Sequence, residues 1–214
     1  MIRVLVVDDH AVVRRGVVQI VTEAAEMQCT GEAGTSVEAL RLARAHEYDV
    51  VVLDIHLPDG SGLDVLKQLR AFKPGLPVLM LSMYPEQQYA LRALRAGAMG
   101  YLTKDSVPDE LVAALHKLAR GEHYVSQSLA ATLAAQLGAG GPSPEDPTPV
   151  EALSDREEQV LRLLAAGQTV SHIAQTLSLS VKTVSTYRAR ILDKLHLTTT
   201  AELIRYALDH GLVD

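Results

Sequence analysis

The stretch Val50-Val51-Val52-Leu53-Asp54, followed by Ile55-His56-Leu57-Pro58-Asp59-Gly60, constrains the fold more than any other part of the chain. Apolar, mostly β-branched residues without polar alternation fit a strand buried on both faces, and so a central position in a parallel sheet. The run breaks at Asp54, and Pro58, Asp59 and Gly60 mark the loop beyond it. A carboxylate at the C-terminal end of a central parallel strand stands in the crevice where open α/β sheets place their ligands. A residue that merely closes a strand or caps a turn would look the same, so the meaning of Asp54 depends on what other strands bring to that edge.

The rest of the first half supplies those strands. Ile2 to Val7 is apolar and ends in Asp8 and Asp9, and Val12, Val13, Gly16, Val17, Ile20 and Val21 then recur at helical spacing, with Arg14 and Arg15 on the other side. A strand near Gln28 to Ala33 and a helix beginning at Ser36, with Glu38 in its first turn, lead into the Val50 strand. Leu63, Leu66 and Leu69 mark a helix closed by Pro74 and Gly75. Pro77 to Ser82 is the next strand, and Tyr89, Leu91, Leu94 and Ala98 belong to a helix ending at Gly97. Gly100 to Thr103 is a fifth strand, followed by Lys104 and a helix over Pro108 to Arg120. Five successive β/α units predict an α/β fold, a five-stranded parallel sheet doubly wound in the flavodoxin-like order.

The pattern then changes. Ser126 to Leu137 reads as a further helix carrying Leu129, Leu133 and Leu137, and Gly138 to Pro149 is a Gly- and Pro-rich linker without apolar periodicity. Residues 1–121, 122–149 and 150–214 are therefore expected to be one domain, a linker region and a second domain. The second domain reads as small and all-α. Ser154 and Glu157 form a capping box ahead of Val160, Leu161, Leu163 and Leu164, and Gly167 stops that helix. A short helix with Ile173, Ala174 and Leu177, a tight turn over Ser178 to Ser180, and a longer helix from Val181 to Leu195 describe a helix-turn-helix, and a last helix spans Ala201 to His210.

Charge and composition exclude several classes. No apolar run approaches the roughly 20 residues that span a bilayer, so no membrane association and a cytoplasmic location are expected. Cys29 is the single cysteine, which excludes an intramolecular disulfide and a multi-cysteine zinc site. A net charge of −6 argues against indiscriminate nucleic-acid coating. Between Gln159 and Leu192, however, no Asp or Glu occurs while Arg162, Lys182, Arg188 and Arg190 do, so a local positive surface is expected.

In the predicted sheet the first and third strands are neighbours, which brings Asp8, Asp9 and Asp54 together. Carboxylates packed this closely raise one another's pKa unless a cation sits among them, and hard oxygen donors with open water positions suit Mg²⁺. Strands four and five deliver the Ser82 hydroxyl and the Lys104 ammonium to the same edge, completing a set of groups suited to a phosphoryl group.

With Pro58, Gly62 and Tyr101 at their spacing, this set resembles the receiver domain of two-component response regulators. The resemblance implies that Asp54 accepts a phosphoryl group from a sensor histidine kinase, while Asp8, Asp9 and the backbone carbonyl of His56 help hold Mg²⁺. It further implies that Ser82 and Lys104 bind the phosphoryl oxygens and that Tyr101 is the switch aromatic. Many receivers carry threonine where Ser82 stands. Leu153-Ser154-Asp155-Arg156-Glu157, Val160-Leu161, Gly167, Ile173-Ala174, Leu177, Ser180, Thr183-Val184, Lys194-Leu195 and Glu202-Leu203 resemble the LuxR-type DNA-binding domain. The whole chain outside the linker is similar to the NarL/FixJ subfamily. That likeness implies a regulator rather than an enzyme, with self-phosphorylation from small donors and slow dephosphorylation at most.

Phased at 100° per residue, the Val181 helix puts Val181, Val184, Ile191 and Leu195 on the core side and Lys182, Thr186, Ala189 and Arg190 opposite. The candidate DNA contacts are Lys182, Thr183, Ser185, Thr186, Tyr187, Arg188, Ala189, Arg190 and Lys194, with Arg188 placed awkwardly near the core stripe. Three departures separate this chain from the family pattern. Val170-Ser171-His172 stands where Asn-Lys-Glu is frequent, Tyr187 where histidine is, and Ser185 where lysine is. The resemblance implies dimers on phosphorylation, an inverted repeat in double-stranded DNA, and RNA polymerase as a further partner. An aspartyl-phosphate phosphatase would need a second aspartate where His56 stands, and an FMN protein a Ser/Thr/Gly-rich loop where Asp8 to Gly16 stands. A small-molecule sensor in front of the DNA domain would leave the acidic pocket unexplained.

Overall fold

Strand β1 (Ile2–Val7) pairs on one side with β2 (Met27–Ala33) and on the other with β3 (Val50–Asp54), which is followed outward by β4 (Val78–Ser82) and β5 (Gly100–Thr103). All pairings are parallel, in the order β2-β1-β3-β4-β5, which is the expected doubly wound topology. These relations come from a computed structural model that describes residues 1–83, 86–126, 129–131, 153–177, 179–209 and 212.

Alternation along the strands divides the core in two. Leu5, Val7, Val51, Leu53, Met80 and Tyr101 point to one face, covered by α2 (Ser36–Ala45), α3 (Gly62–Phe72) and α4 (Glu86–Arg95). Val4, Val6, Val50, Val52, Leu79, Leu81 and Leu102 point to the other, covered by α1 (Ala11–Glu23) and α5 (Val107–Ala119). Each central strand is apolar throughout because both faces are covered, which is why β3 shows no alternation in sequence. Register brings the strand ends level: Val7 pairs with Leu53, Asp54 with Leu81, and Ser82 with Thr103.

Several local expectations need correction. Val12 is 85% exposed, because it lies in the first turn of α1, off the stripe carried by the buried Val17 and Val21; Gly16 is exposed as well. Helix α4 ends at Arg95, so Ala98 lies beyond it, with Gly97 at φ 101 making the turn. The cap of α2 is Thr35, whose side chain accepts from Glu38 N, and a second acceptor arrives from the β3–α3 loop. Asp59 takes the Ser36 and Val37 N–H groups at 2.7 and 3.0 Å, and these bonds outweigh its burial and hold its carboxyl below the usual range.

After α5 the chain returns along the sheet edge. Tyr124 N donates to Met99 O at 2.9 Å, the Tyr124 hydroxyl donates to Glu110, and the Ser126 hydroxyl donates to Glu86 in the first turn of α4. This segment covers β5, which would otherwise present an unpaired edge. Leu129 lies in a helical stretch and packs into the sheet core; Leu133, Leu137 and the Gly138 to Pro149 linker lie outside the described residues.

Residues Met1–Gly141 and Pro142–Asp214 form separate units. In the second, α6 (Asp155–Ala165), α7 (Val170–Thr176), α8 (Val181–Lys194) and α9 (Thr200–Asp209) enclose Leu153, Val160, Leu161, Leu164, Ile173, Leu177, Val184, Ile191, Leu195 and Leu203. The Ser154–Glu157 capping box is present, and Glu157 also receives Lys194 Nζ at 2.6 Å, tying the end of α8 to the start of α6. Arg162, expected on a positive surface, is instead buried. Its guanidinium lies 2.8 Å from Glu158 and donates to Leu212 O at 2.5 Å. Val181, expected in the core stripe, is the first residue of α8 and is 51% exposed, while Val184 and Ile191 of the same stripe are buried. Among the described residues no helix is long and apolar enough to cross a membrane.

Candidate functional site

The ends of β1, β3, β4 and β5 meet at one edge of the sheet, and the side chains they carry are the ones anticipated. Asp8 and Asp54 are buried, Lys104 is almost so, and the ammonium bridges the two carboxylates. Lys104 Nζ lies 2.6 Å from Asp54 Oδ2 and 2.8 Å from Asp8 Oδ2. Its better-directed hydrogen bond goes to Asp54, and the ion pair with Asp8 holds the ammonium between the two carboxylates. Asp54 Oδ1 accepts the His56 N–H at 3.2 Å. Lys104 is placed by its position immediately after β5, where Thr103 and Ser106 bond across the turn at 2.8 Å.

The electrostatics follow from burial. Desolvation, with repulsion from Asp8, outweighs the Lys104 attraction and pushes the Asp54 carboxyl up to about 6. Burial alone would lower Lys104, but Asp54 and Asp8 more than compensate, and its pKa lies above the usual lysine value. The pocket therefore holds a permanent cation beside a carboxylate that gives up its proton only near neutrality.

Asp8 itself is held by local bonds. Its Oδ1 accepts the His10 N–H at 2.8 Å, and its carbonyl accepts Arg14 Nη1 at 2.6 Å from α1. Asp9 is partly exposed beside it. Ligand atoms of Asp8, Asp9, His10 and Asp54 all lie within 4.8 Å of one another, so this group could hold a metal ion. Carboxylate oxygens gathered this closely, two of the groups buried, suit a hard divalent ion. The sequence reading missed His10; the signal available was its adjacency to Asp9, but its approach to Asp54 depends on the pairing of β1 with β3.

Ser82 and Tyr101 are both fully buried and hydrogen-bonded to each other. Burial raises the Tyr101 phenol well above its ordinary value. His56 stacks edge-on against Tyr89 at 5.9 Å, a contact between the β3–α3 loop and α4 that the sequence does not reveal.

In the second unit, Lys182, Thr183, Thr186, Tyr187 and Arg190 line a shallow hollow of about 260 Å³ along one face of α8. Ser180 caps the helix by accepting Thr183 N at 3.0 Å. Ala189 is exposed near this face and Ser185 lies at its flank, half-buried. Arg188 is half-buried too, as its phase requires, and its Nε is buried without a hydrogen-bond partner. Lys194 stands apart from the hollow, engaged with Glu157.

A carboxylate pocket of this kind on a 2-1-3-4-5 sheet, joined to a helix-turn-helix unit, defines a signal receiver fused to a DNA-binding module. Residues 4–116 match the response regulator receiver domain family, and residues 151–207 match the luxR family of bacterial regulatory proteins. The chain belongs to the two-component response regulators of the NarL/FixJ subfamily. It is 37% identical to the response regulator GacA of Pseudomonas aeruginosa over all of this chain and 99% of that one. It is 34% identical to UvrY of Escherichia coli strain K12 over 99% of this chain and 96% of that one. Among solved structures it is similar to RcsB from Salmonella enterica serovar Typhimurium bound to a promoter with the phosphomimetic BeF3⁻. That match has 26% identity and a TM-score of 0.62, over 96% of this chain and 97% of that one. A LuxR-family response regulator from Aurantimonas matches with 33% identity and a TM-score of 0.60, over 64% of this chain and 99% of that one. A receiver domain implies a histidine kinase partner, and a LuxR-type domain implies DNA binding.

Proposed function

We propose that Asp54 accepts a phosphoryl group from a sensor histidine kinase and that this controls how the α8 helix binds DNA. The observation that carries the reading is Lys104 Nζ, 2.6 Å from Asp54 and 2.8 Å from Asp8, at the C-terminal edge of the sheet. An Asp54 oxygen attacks phosphorus as the bond from phosphorus to the donor's leaving atom breaks, and the bonding electrons depart with the donor. Lys104 pairs with a phosphoryl oxygen, and the Ser82 hydroxyl donates to another, breaking its bond to Tyr101. Mg²⁺ held by Asp8, Asp9, Asp54 and the His56 carbonyl supplies charge neutralisation when bound. Incubation of the full chain with acetyl phosphate and Mg²⁺, followed by intact mass, is expected to show one added phosphoryl group, labile to hydroxylamine and absent in Asp54→Asn. A stable phosphoserine or phosphohistidine as the sole product overturns the assignment.

The raised Asp54 pKa gives this pocket a pH dependence. Above about 6 the carboxylate is ionised and available to a cation; below it a proton competes. Mg²⁺ affinity is therefore expected to weaken as pH falls through 6, approaching about tenfold per unit for one coupled proton. Calorimetric titrations from pH 5 to 8 check this, and Asp54→Asn is expected to lose the dependence in that window.

On the DNA side, Lys182 and Arg190 line the α8 hollow and in this reading hold phosphates, with Thr183, Ser185, Thr186, Tyr187, Arg188 and Ala189 as the further contacts. Lys182→Ala and Arg190→Ala are expected to weaken all sequences alike and to reduce the salt slope by about one each, whereas Thr186 or Ala189 changes alter preference among sequences. Lys194 is available as a contact only if it leaves Glu157. Dimers formed on phosphorylation, an inverted repeat as target, contact with RNA polymerase and a cytoplasmic location belong to the same proposal. So does the division at residues 1–121, 122–149 and 150–214, which rests on the composition of Gly138 to Pro149.

A further inference from the structure

Beyond α5 the chain stays on the sheet before it goes on toward the DNA-binding unit. Tyr124 bridges to Gly100 as a parallel neighbour, and consecutive side chains then take opposite faces, as on a strand. Tyr124 packs against the core beneath α1 and α5, and Val125 against the core beneath α2, α3 and α4. The Tyr124 ring is also held on α5, with its hydroxyl donating to Glu110 and Lys117 Nζ 5.4 Å from the ring centre. Leu129, only 4% exposed, enters the cluster that contains Tyr89 of α4 and Tyr101 of β5. These residues are a built part of the sheet unit.

Ser126 does two things at once. Its Oγ accepts the Leu129 N–H at 3.1 Å and its carbonyl accepts the Ala130 N–H at 3.0 Å, which starts a helical turn. The same hydroxyl donates its own proton to the carboxylate of Glu86, in the first turn of α4. The direction of the outgoing chain is therefore set on α4. Helix α4 in turn reaches the surroundings of the pocket in two places. Tyr89 packs edge-on against His56 in the loop after Asp54. The Glu86 carboxylate stands close enough to the Tyr101 phenol to help raise its pKa, and that phenol is bonded to Ser82.

We propose that the Glu86–Ser126 contact is the junction through which the state of the Asp54 pocket reaches the chain leading to the DNA-binding unit. The inference rests on the reading of Asp54 as phosphoacceptor and specifies the regulation of that site. When the Ser82 hydroxyl turns to a phosphoryl oxygen, the fully buried Tyr101 phenol exchanges that bond for the Glu86 carboxylate. Glu86 is then shared between Tyr101 and Ser126. Because the Ser126 hydroxyl also caps the turn that follows, a shift of Glu86 redirects that turn rather than one side chain.

The test uses the full chain as wild type, Ser126→Ala, Ser126→Thr and Glu86→Ala, with phosphorylation read by intact mass and binding to a selected duplex read with and without acetyl phosphate treatment. In wild type, phosphorylation is expected to tighten DNA binding by about 5–150-fold. In Ser126→Ala and in Glu86→Ala the gain should fall below about twofold, the scatter expected of independent sites. Both should still take one phosphoryl group on Asp54. Ser126→Thr keeps the hydroxyl and should keep the gain. Glu86→Ala leaves the cap on Leu129 N–H in place and removes only the tie to α4, so a lost gain in Ser126→Ala beside a full gain in Glu86→Ala would reduce Ser126 to a helix cap and overturn the inference. A full gain in both variants, or loss of Asp54 phosphorylation in Glu86→Ala, would overturn it as well and leave the reading of Asp54 standing. Wild type that takes no phosphoryl group on Asp54 removes both.

Discussion

Gly62→Ala is expected to slow phosphorylation of Asp54 by about 100-fold without touching a single charged group. A Cβ at position 62 would sit 1.9 Å from the Asp54 carbonyl oxygen, 2.9 Å from its carbonyl carbon and 3.0 Å from the Ile55 Cα. All three are backbone atoms, so no side chain can swing aside. Gly62 N also donates to Ile55 O at 2.7 Å, which locks the start of α3 against the end of β3. Relief requires α3 or the Asp54 backbone to move, at a cost at or beyond the ~1–3 kcal/mol typical of overpacking. A displacement of this size beside the nucleophile is expected to slow phosphoryl transfer by about 100-fold. Intact mass under acetyl phosphate and a urea melt measure the two effects. Gly16→Ala, at an exposed helical site with nothing within 4 Å, is the matched control and should stabilise by about 0.5–1 kcal/mol.

The second large effect belongs to the DNA-binding unit. Arg162 and Glu158 are both nearly inaccessible and joined at 2.8 Å, and Arg162 also holds the Leu212 carbonyl. Removing one partner strands a buried charge, which costs about 3–5 kcal/mol. A unit of about 60 residues has roughly 3–9 kcal/mol of stability in total. Arg162→Ala should therefore largely unfold residues 153–212, seen as loss of helical circular dichroism from this unit while the sheet unit keeps its own transition. Replacing the pair together, Arg162→Met with Glu158→Leu, should be far milder, because no unpaired charge is left.

Arg162 also shows where the sequence misleads. Its charge lies in a stretch free of acids only because that stretch begins at Gln159; Glu158, one residue earlier, is its i,i+4 partner. Charge counting along the chain ignores phase, and phase decides burial. Val12 and Val181 fail for a related reason. Both sit in the first turn of a helix, Val12 off the buried stripe of α1 and Val181 at the first residue of α8, and helical spacing alone does not show where contact with the core begins. The sheet was legible because β1, β3 and β4 are buried on both faces, so an apolar run ends abruptly at Asp8, Asp54 and Ser82. Their convergence followed from strand order alone. The Asp59 cap on α2 spans 22 to 23 residues of sequence, and the His56–Tyr89 contact crosses from a loop to a helix. Neither carries a local signature, so both appear only once the sheet is assembled.

Coupling between the two units is the centre of the account, and DNA affinity measured with and without phosphate tests it most directly. A duplex selected by the protein from a random library, titrated by fluorescence anisotropy at fixed salt, compares wild type and Asp54→Asn before and after acetyl phosphate treatment. Phosphorylated wild type is expected to bind about 5–150-fold more tightly than untreated protein, while Asp54→Asn shows no change. Equal affinity of phosphorylated and unphosphorylated wild type would contradict the account.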